Sequence, residues 1–230
     1  MKKAIVILSA LMLVAISCKQ TLKKQVEATS NKILSEQEDN HSTVQKKYNN
    51  NPIEDRGKNF RQIGLNEKIG SRTLKDYLAD EKIPQIFKDV FLQKQPLNDD
   101  VKTLALIDSL LSTDKERHPF YFVLVTHAMW WSDGAFSEPL GMAAKEYVES
   151  NTQQFLEYFS AESVLTKFDF EQWASYTLGE ILIESEDDTK EQIEKTKNLM
   201  KKNCIGCSSE KIEMIDKFIG YMNVEYDKLE

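Results

Sequence analysis

From about Arg72 onward, apolar side chains recur at alternating three- and four-residue steps, the period of helices that bury one face. Leu74, Tyr77 and Leu78 share a face, and Ile86, Phe87, Val90 and Phe91 follow Pro84, a residue suited to a first helical turn. Val101, Leu104, Ile107 and Leu111 continue the pattern behind Asp99 and Asp100, acids that favour a helix N-terminus. Phe120–Trp131 is different, being apolar almost all round. Its β-branched and aromatic content also fits a strand. A helix is the better reading, because 12 residues is long for a strand and no partner strand is evident. A helix apolar on every side belongs at the centre of a domain.

Local signals then mark helix starts. Gly134 ends the central helix, and Ser137 is expected to cap one that turns Leu140, Ala143, Ala144, Tyr147 and Val148 inward. Asn151 with Gln154, and Asp169 with Gln172, have the spacing of reciprocal capping boxes, the second flanked by Phe168 and Trp173 as a hydrophobic staple. Trp173, Thr177, Leu178 and Ile181 extend that helix's buried face. A mostly polar helix over Asp187–Asn203 turns Ile193, Leu199 and Met200 inward. A last helix from Ser209 carries Ile212, Ile215, Ile219, Met222, Tyr226 and Leu229 on one side. The expectation is an all-α domain of eight or nine helices with no credible strand. Two architectures fit: a multi-helix bundle, or a short right-handed stack of helix pairs loosely similar to HEAT-type repeats. Phe120–Asn151 and Phe170–Asn203 are helix pairs of similar length, but no residue motif repeats between them.

The first 68 residues read otherwise. Lys2 and Lys3 precede an apolar run from Ala4 to Ile16 broken only by Ser9, and small residues lead to Cys18. That is the layout of a secretory signal, shorter than the ~20 apolar residues of a spanning helix. Ala15-Ile16-Ser17-Cys18 resembles the lipobox of bacterial lipoproteins, with Ala15 at a position where leucine is commoner. The resemblance implies cleavage after residue 17, lipidation at Cys18 and a cell-envelope address. Lys19, rather than Asp, follows the cysteine, which by the same resemblance favours the outer membrane and leaves the leaflet open. Residues 18–68 are rich in Lys, Gln, Glu, Asn, Ser and Thr, with Tyr48 and Phe60 the only aromatics. This composition predicts a flexible polar tether between the lipid and an acidic helical domain at 69–230.

Charge sharpens that division. Residues 18–68 carry ten Lys/Arg against seven Asp/Glu, whereas 69–230 carry 18 against 30, a net of −12. Such a domain repels nucleic acid and favours a protein partner with a basic face. An immunity or inhibitor protein acting on a basic toxin or lytic enzyme is one version of that reading.

Candidate chemistry is sparse. No GxSxG, HExxH, phosphate-loop or paired-glycine fingerprint occurs. His127, one turn from Trp131 and followed by Asp133 and Glu138, could serve as a base oriented by an acid in an envelope hydrolase, though no nucleophile or metal is evident. The bland alternative is a core histidine. Trp130 and Trp131 point about 100° apart on a helix, so both cannot face one core direction; burial under a neighbouring loop is the favoured reading, and an exposed anchor for a partner or glycan the alternative. Cys204-Ile205-Gly206-Cys207 lies between two helices, with Gly206 suited to a left-handed turn and Ser208 to a cap. A structural disulfide is the favoured reading in an oxidising compartment, and thiol–disulfide exchange the alternative. Zinc would need further ligands, and the chain has only three histidines. Glu184–Asp188 is acidic but lacks the glycine and alternation of a calcium loop. No cofactor or metal is expected.

Overall fold

The computed structural model describes residues 61–97, 101–132, 134–185 and 188–229. The leader, Cys18, the tether up to residue 60, and Asp133 lie outside the described residues. Among the described residues nine α-helices follow one another: α1 Leu74–Ala79, α2 Gln85–Phe91, α3 Val101–Asp108, α4 His118–Ala128, α5 Gly134–Ser150, α6 Thr152–Ala161, α7 Lys167–Glu184, α8 Thr189–Asn203 and α9 Ser209–Tyr226. Among the described residues the protein is an all-α multi-helix bundle. Two short strands qualify the expectation of none. Lys68–Ile69 (β1) pairs antiparallel with Arg72–Thr73 (β2). Gly70 turns this hairpin at φ +59, and a side chain there would also crowd Pro119.

The folded body already includes residues ahead of Ile69. Arg61 donates through Nη1 to the Ser163 carbonyl at 2.6 Å and pairs with Glu67, and Ile63 packs against the core. Asp80 then receives both Arg72 at 2.8 Å and Arg117 at 2.9 Å, tying the hairpin to the start of α4. The Arg72 and Arg117 hydrogen bonds hold the Asp80 carboxyl well below the usual carboxylate range.

Helix α4 is the centre. Every residue of it except Pro119 is buried, as its all-round apolar sequence predicts. Phe122 stacks on Trp173 of α7 at 5.1 Å, while Tyr121 meets Phe87 of α2 edge-on. Polar atoms inside this aromatic centre are paired. Trp173 Nε1 donates to Thr126 Oγ1 at 2.9 Å, and Thr126 in turn donates to the Phe122 carbonyl. His118 sits between the Leu110 carbonyl (Nε2, 2.9 Å) and the Tyr158 hydroxyl (Nδ1, 2.6 Å). A carbonyl only accepts, so Nε2 carries the proton and Nδ1 accepts from Tyr158. Burial lowers the His118 pKa, in keeping with that neutral ring.

Alternate helices α5, α7 and α9 pack side by side, with α6 and α8 running between them in sequence. Helix α6 also meets α9, where Phe155 contacts Phe218 at 5.4 Å. That contact joins the five helices in one shared core, consistent with the expected multi-helix bundle.

Several predicted starts move. Helix α5 begins at Gly134, so Ser137 lies inside it and bonds Ser132 rather than capping. Leu140, Ala144, Tyr147 and Val148 are buried as expected. Asn151 makes no side-chain cap bond, and Gln154 instead accepts from the Tyr147 hydroxyl. The box expected at Asp169 and Gln172 is shifted one turn: Thr166 is the cap, and Asp169 closes the box from the third helical position. Phe168 accordingly is exposed, and Gln172 donates to the Met129 carbonyl. Helix α8 begins at Thr189, behind Asp188. Leu229 lies beyond the end of α9 and is exposed.

Candidate functional site

The α4–α5 junction gathers most of the residues that the sequence marks for chemistry. His127 is only 5% exposed, on the last turn of α4, with its ring stacked on Phe91 at 5.2 Å. Glu138 is exposed on the second turn of α5. Trp130 and Trp131 are both half-buried. Trp130 Nε1 donates to Asp169 Oδ1 at 2.7 Å, and Trp131 packs against the core. Asp169 therefore serves two elements at once, boxing the start of α7 and holding the end of α4. Beside it, Ser132 Oγ lies 2.6 Å from the Tyr176 hydroxyl, which donates to the Met129 carbonyl. This network ties α4, α5 and α7 together through groups that satisfy one another.

Cys204 and Cys207 have their sulfurs at bonding distance, with Cα atoms 5.4 Å apart. Cys204 caps α8 and is 4% exposed. Gly206 takes φ +74 in the turn, and Ser208 caps α9 by accepting from the Lys211 amide. The bridge thus sits in a fixed interhelix turn, with its first sulfur buried. Ile205 between the cysteines is 83% exposed.

A second constellation lies along the contact between α5 and α7. Ser137 meets Tyr176, Gly141 meets Tyr176 and Glu180, and Lys145 meets Glu184, so both numbers rise together and the helices run parallel. A Cβ at Gly141 would stand 3.5 Å from both the Tyr176 carbonyl and Glu180 Oε2, an ordinary van der Waals contact that the seam has room for. Glu180 is 6% exposed, and its Oε2 has no hydrogen-bond partner among the described residues. Burial raises its pKa, the nearby carboxylates Glu184 and Glu138 add to that, and Lys145 opposes it. Lys145 itself is engaged by Glu184 at 2.9 Å.

Sequence reasoning did not single out Glu180 or Gly141. The usable signals were a glycine inside a helical pattern and a glutamate among the inward positions Trp173, Thr177 and Ile181. Among the described residues, no group of three or more His, Cys, Asp or Glu side chains could hold a metal ion. No helix among them is long and apolar enough to cross a membrane. Comparison with protein-family models, with curated proteins and with solved structures finds no match to this chain.

Proposed function

We propose that this is a lipid-anchored cell-envelope protein whose acidic helical domain binds a protein partner through that partner's basic face. The observation that carries the reading is the charge of residues 69–230, 18 basic against 30 acidic side chains, behind a lipobox-like leader ending at Cys18. A net charge of that sign steers cationic partners into encounter and disfavours anionic ones. An immunity or inhibitor protein against a basic envelope toxin or lytic enzyme is one form of this role. The buried, Phe91-stacked His127 supports a packing role for that histidine over a catalytic one. The buried Cys204 supports a structural bridge over thiol exchange, which requires an accessible thiolate.

Two measurements test the proposal. Palmitate labelling is expected for the wild type and lost in Cys18→Ala; equal labelling of the two would remove the anchor. Photo-cross-linking from the domain surface in intact cells should then capture a partner of net basic surface whose yield falls steeply with ionic strength. A captured partner that is acidic, or salt-insensitive, contradicts the binding mode.

A further inference from the structure

The α5–α7 contact contains a polar group that the fold does not satisfy. Buried carboxylate oxygens are almost always paired, and one left alone costs stability. Glu180 Oε2 is such an oxygen, in a residue 6% exposed. Its surroundings are set for a positive group from outside. Glu184, exposed one turn further along α7, and Glu138, exposed on α5 one turn before Gly141, both bear electrostatically on Glu180. The local cation, Lys145, is drawn to Glu184 instead. Gly141 carries no side chain over Oε2, which is itself closed to solvent, so a partner's donor meets it once the Glu180 side chain turns outward. Immediately beside Gly141 and Glu184, Met142 and Ile183 are exposed at 56% and 64%, giving apolar surface against which the aliphatic stem of a long cationic side chain can lie.

We infer that this contact between α5 and α7 is the point where the basic partner is read, by an arginine or lysine side chain that bonds Glu180 between Glu138 and Glu184. The inference rests on the binding role proposed above and adds its location. Arginine fits better than lysine, because its planar fork of five donors can serve two carboxylates at once. Binding would then supply the hydrogen bond that folding omits.

The probe is a fluorescein-labelled deca-arginine peptide, titrated by anisotropy against the full-length protein in non-ionic detergent at 0.15 M salt. Glu180→Gln should weaken binding about tenfold, whereas Glu213→Gln, which removes one charge from exposed α9 surface, should change it less than about twofold. Gly141→Ala keeps every charge but sets a methyl group against Oε2, and should weaken binding about fivefold with the helices intact by circular dichroism. Equal effects of Glu180→Gln and Glu213→Gln, or a Gly141→Ala variant that binds like wild type, overturn the location while leaving a generally acid-driven interaction standing. Failure of the wild type to bind the peptide overturns the basic-partner reading and the location with it.

Discussion

Around α4, His118 has both ring nitrogens engaged and Trp173 has its indole nitrogen on Thr126, whereas between α5 and α7 the Glu180 carboxylate, in the field of Glu184, Lys145 and Glu138, has one buried oxygen unpaired. Both regions are buried helix contacts in one bundle. The first uses polar groups to fix which aromatic lies against which, so burial and hydrogen bonding act in the same direction. The second gives up stability at a position close to exposed charge. Among the described residues Arg117 Nε and the Gln93 amide are also buried without a partner, but only at Glu180 is the unpaired atom a carboxylate oxygen, and that is the basis for placing the proposed contact at this seam.

Breaking the satisfied region should have the largest effect. Trp173 is fully buried and its ring contacts Phe122, Tyr147 and Phe155. Trp173→Ala should cost about 3–5 kcal/mol, measured as a lower urea midpoint. A loss below about 1.5 kcal/mol would mean that the centre can collapse around the vacancy, and that α4 is not the keystone of the bundle. Asp169 comes next, because it joins the end of α4 to the start of α7. Removing it as Asp169→Ala unpairs Trp130 Nε1 and the Thr166 cap together. A loss of about 2–3 kcal/mol is expected, with a shift in tryptophan emission that Thr166→Ala does not reproduce.

The disulfide is the smallest contribution. Two residues between cysteines close so short a loop that the bridge restricts the unfolded chain little, less than the ~3 kcal/mol associated with a 15-residue loop. Replacing Cys204 and Cys207 together by serine should therefore cost about 1–2 kcal/mol and leave peptide binding unchanged. Thiol titration of the unfolded, unreduced wild type should find neither of these two cysteines free. A variant that folds normally but no longer binds would turn attention from the seam to the turn carrying Ile205.

The helices were legible because each buries one stripe, and α4 because it has no polar stripe at all. Their starts were less so. Asp169 has the residue type of a cap and lies before an apolar run, yet Thr166 three residues earlier offers an equivalent signal, and the closed box favours it. At Asn151 the chain passes almost directly from α5 to α6, and Thr152 bonds back to the Val148 carbonyl, so no free cap geometry develops. The hairpin at Lys68–Thr73 was hidden because two-residue strands carry no alternation. The seam was hidden for a different reason. Periodicity says that Glu180 faces inward but not which helix it meets, and only the parallel register of α5 against α7 brings Gly141, Glu138 and Glu180 together.

The sign of Glu180's contribution to stability tests this contrast most directly. Its folded pKa is raised above the ordinary 4.5, so the protonated form suits the fold and the ionised form opposes it. Stability from this residue is therefore lost as pH rises from about 4.5 through the raised value, the reverse of a carboxylate held by a cation. Thermal unfolding of wild type and Glu180→Met at pH 4 and pH 8 reads this out, since methionine fills similar space without the charge. The account predicts a higher Tm for the variant at pH 8, and an advantage that shrinks or vanishes at pH 4. A variant less stable than wild type at pH 8 would mean that Lys145 holds Glu180 as a stabilising partner, and would contradict the claim that the seam is built with an open acceptor.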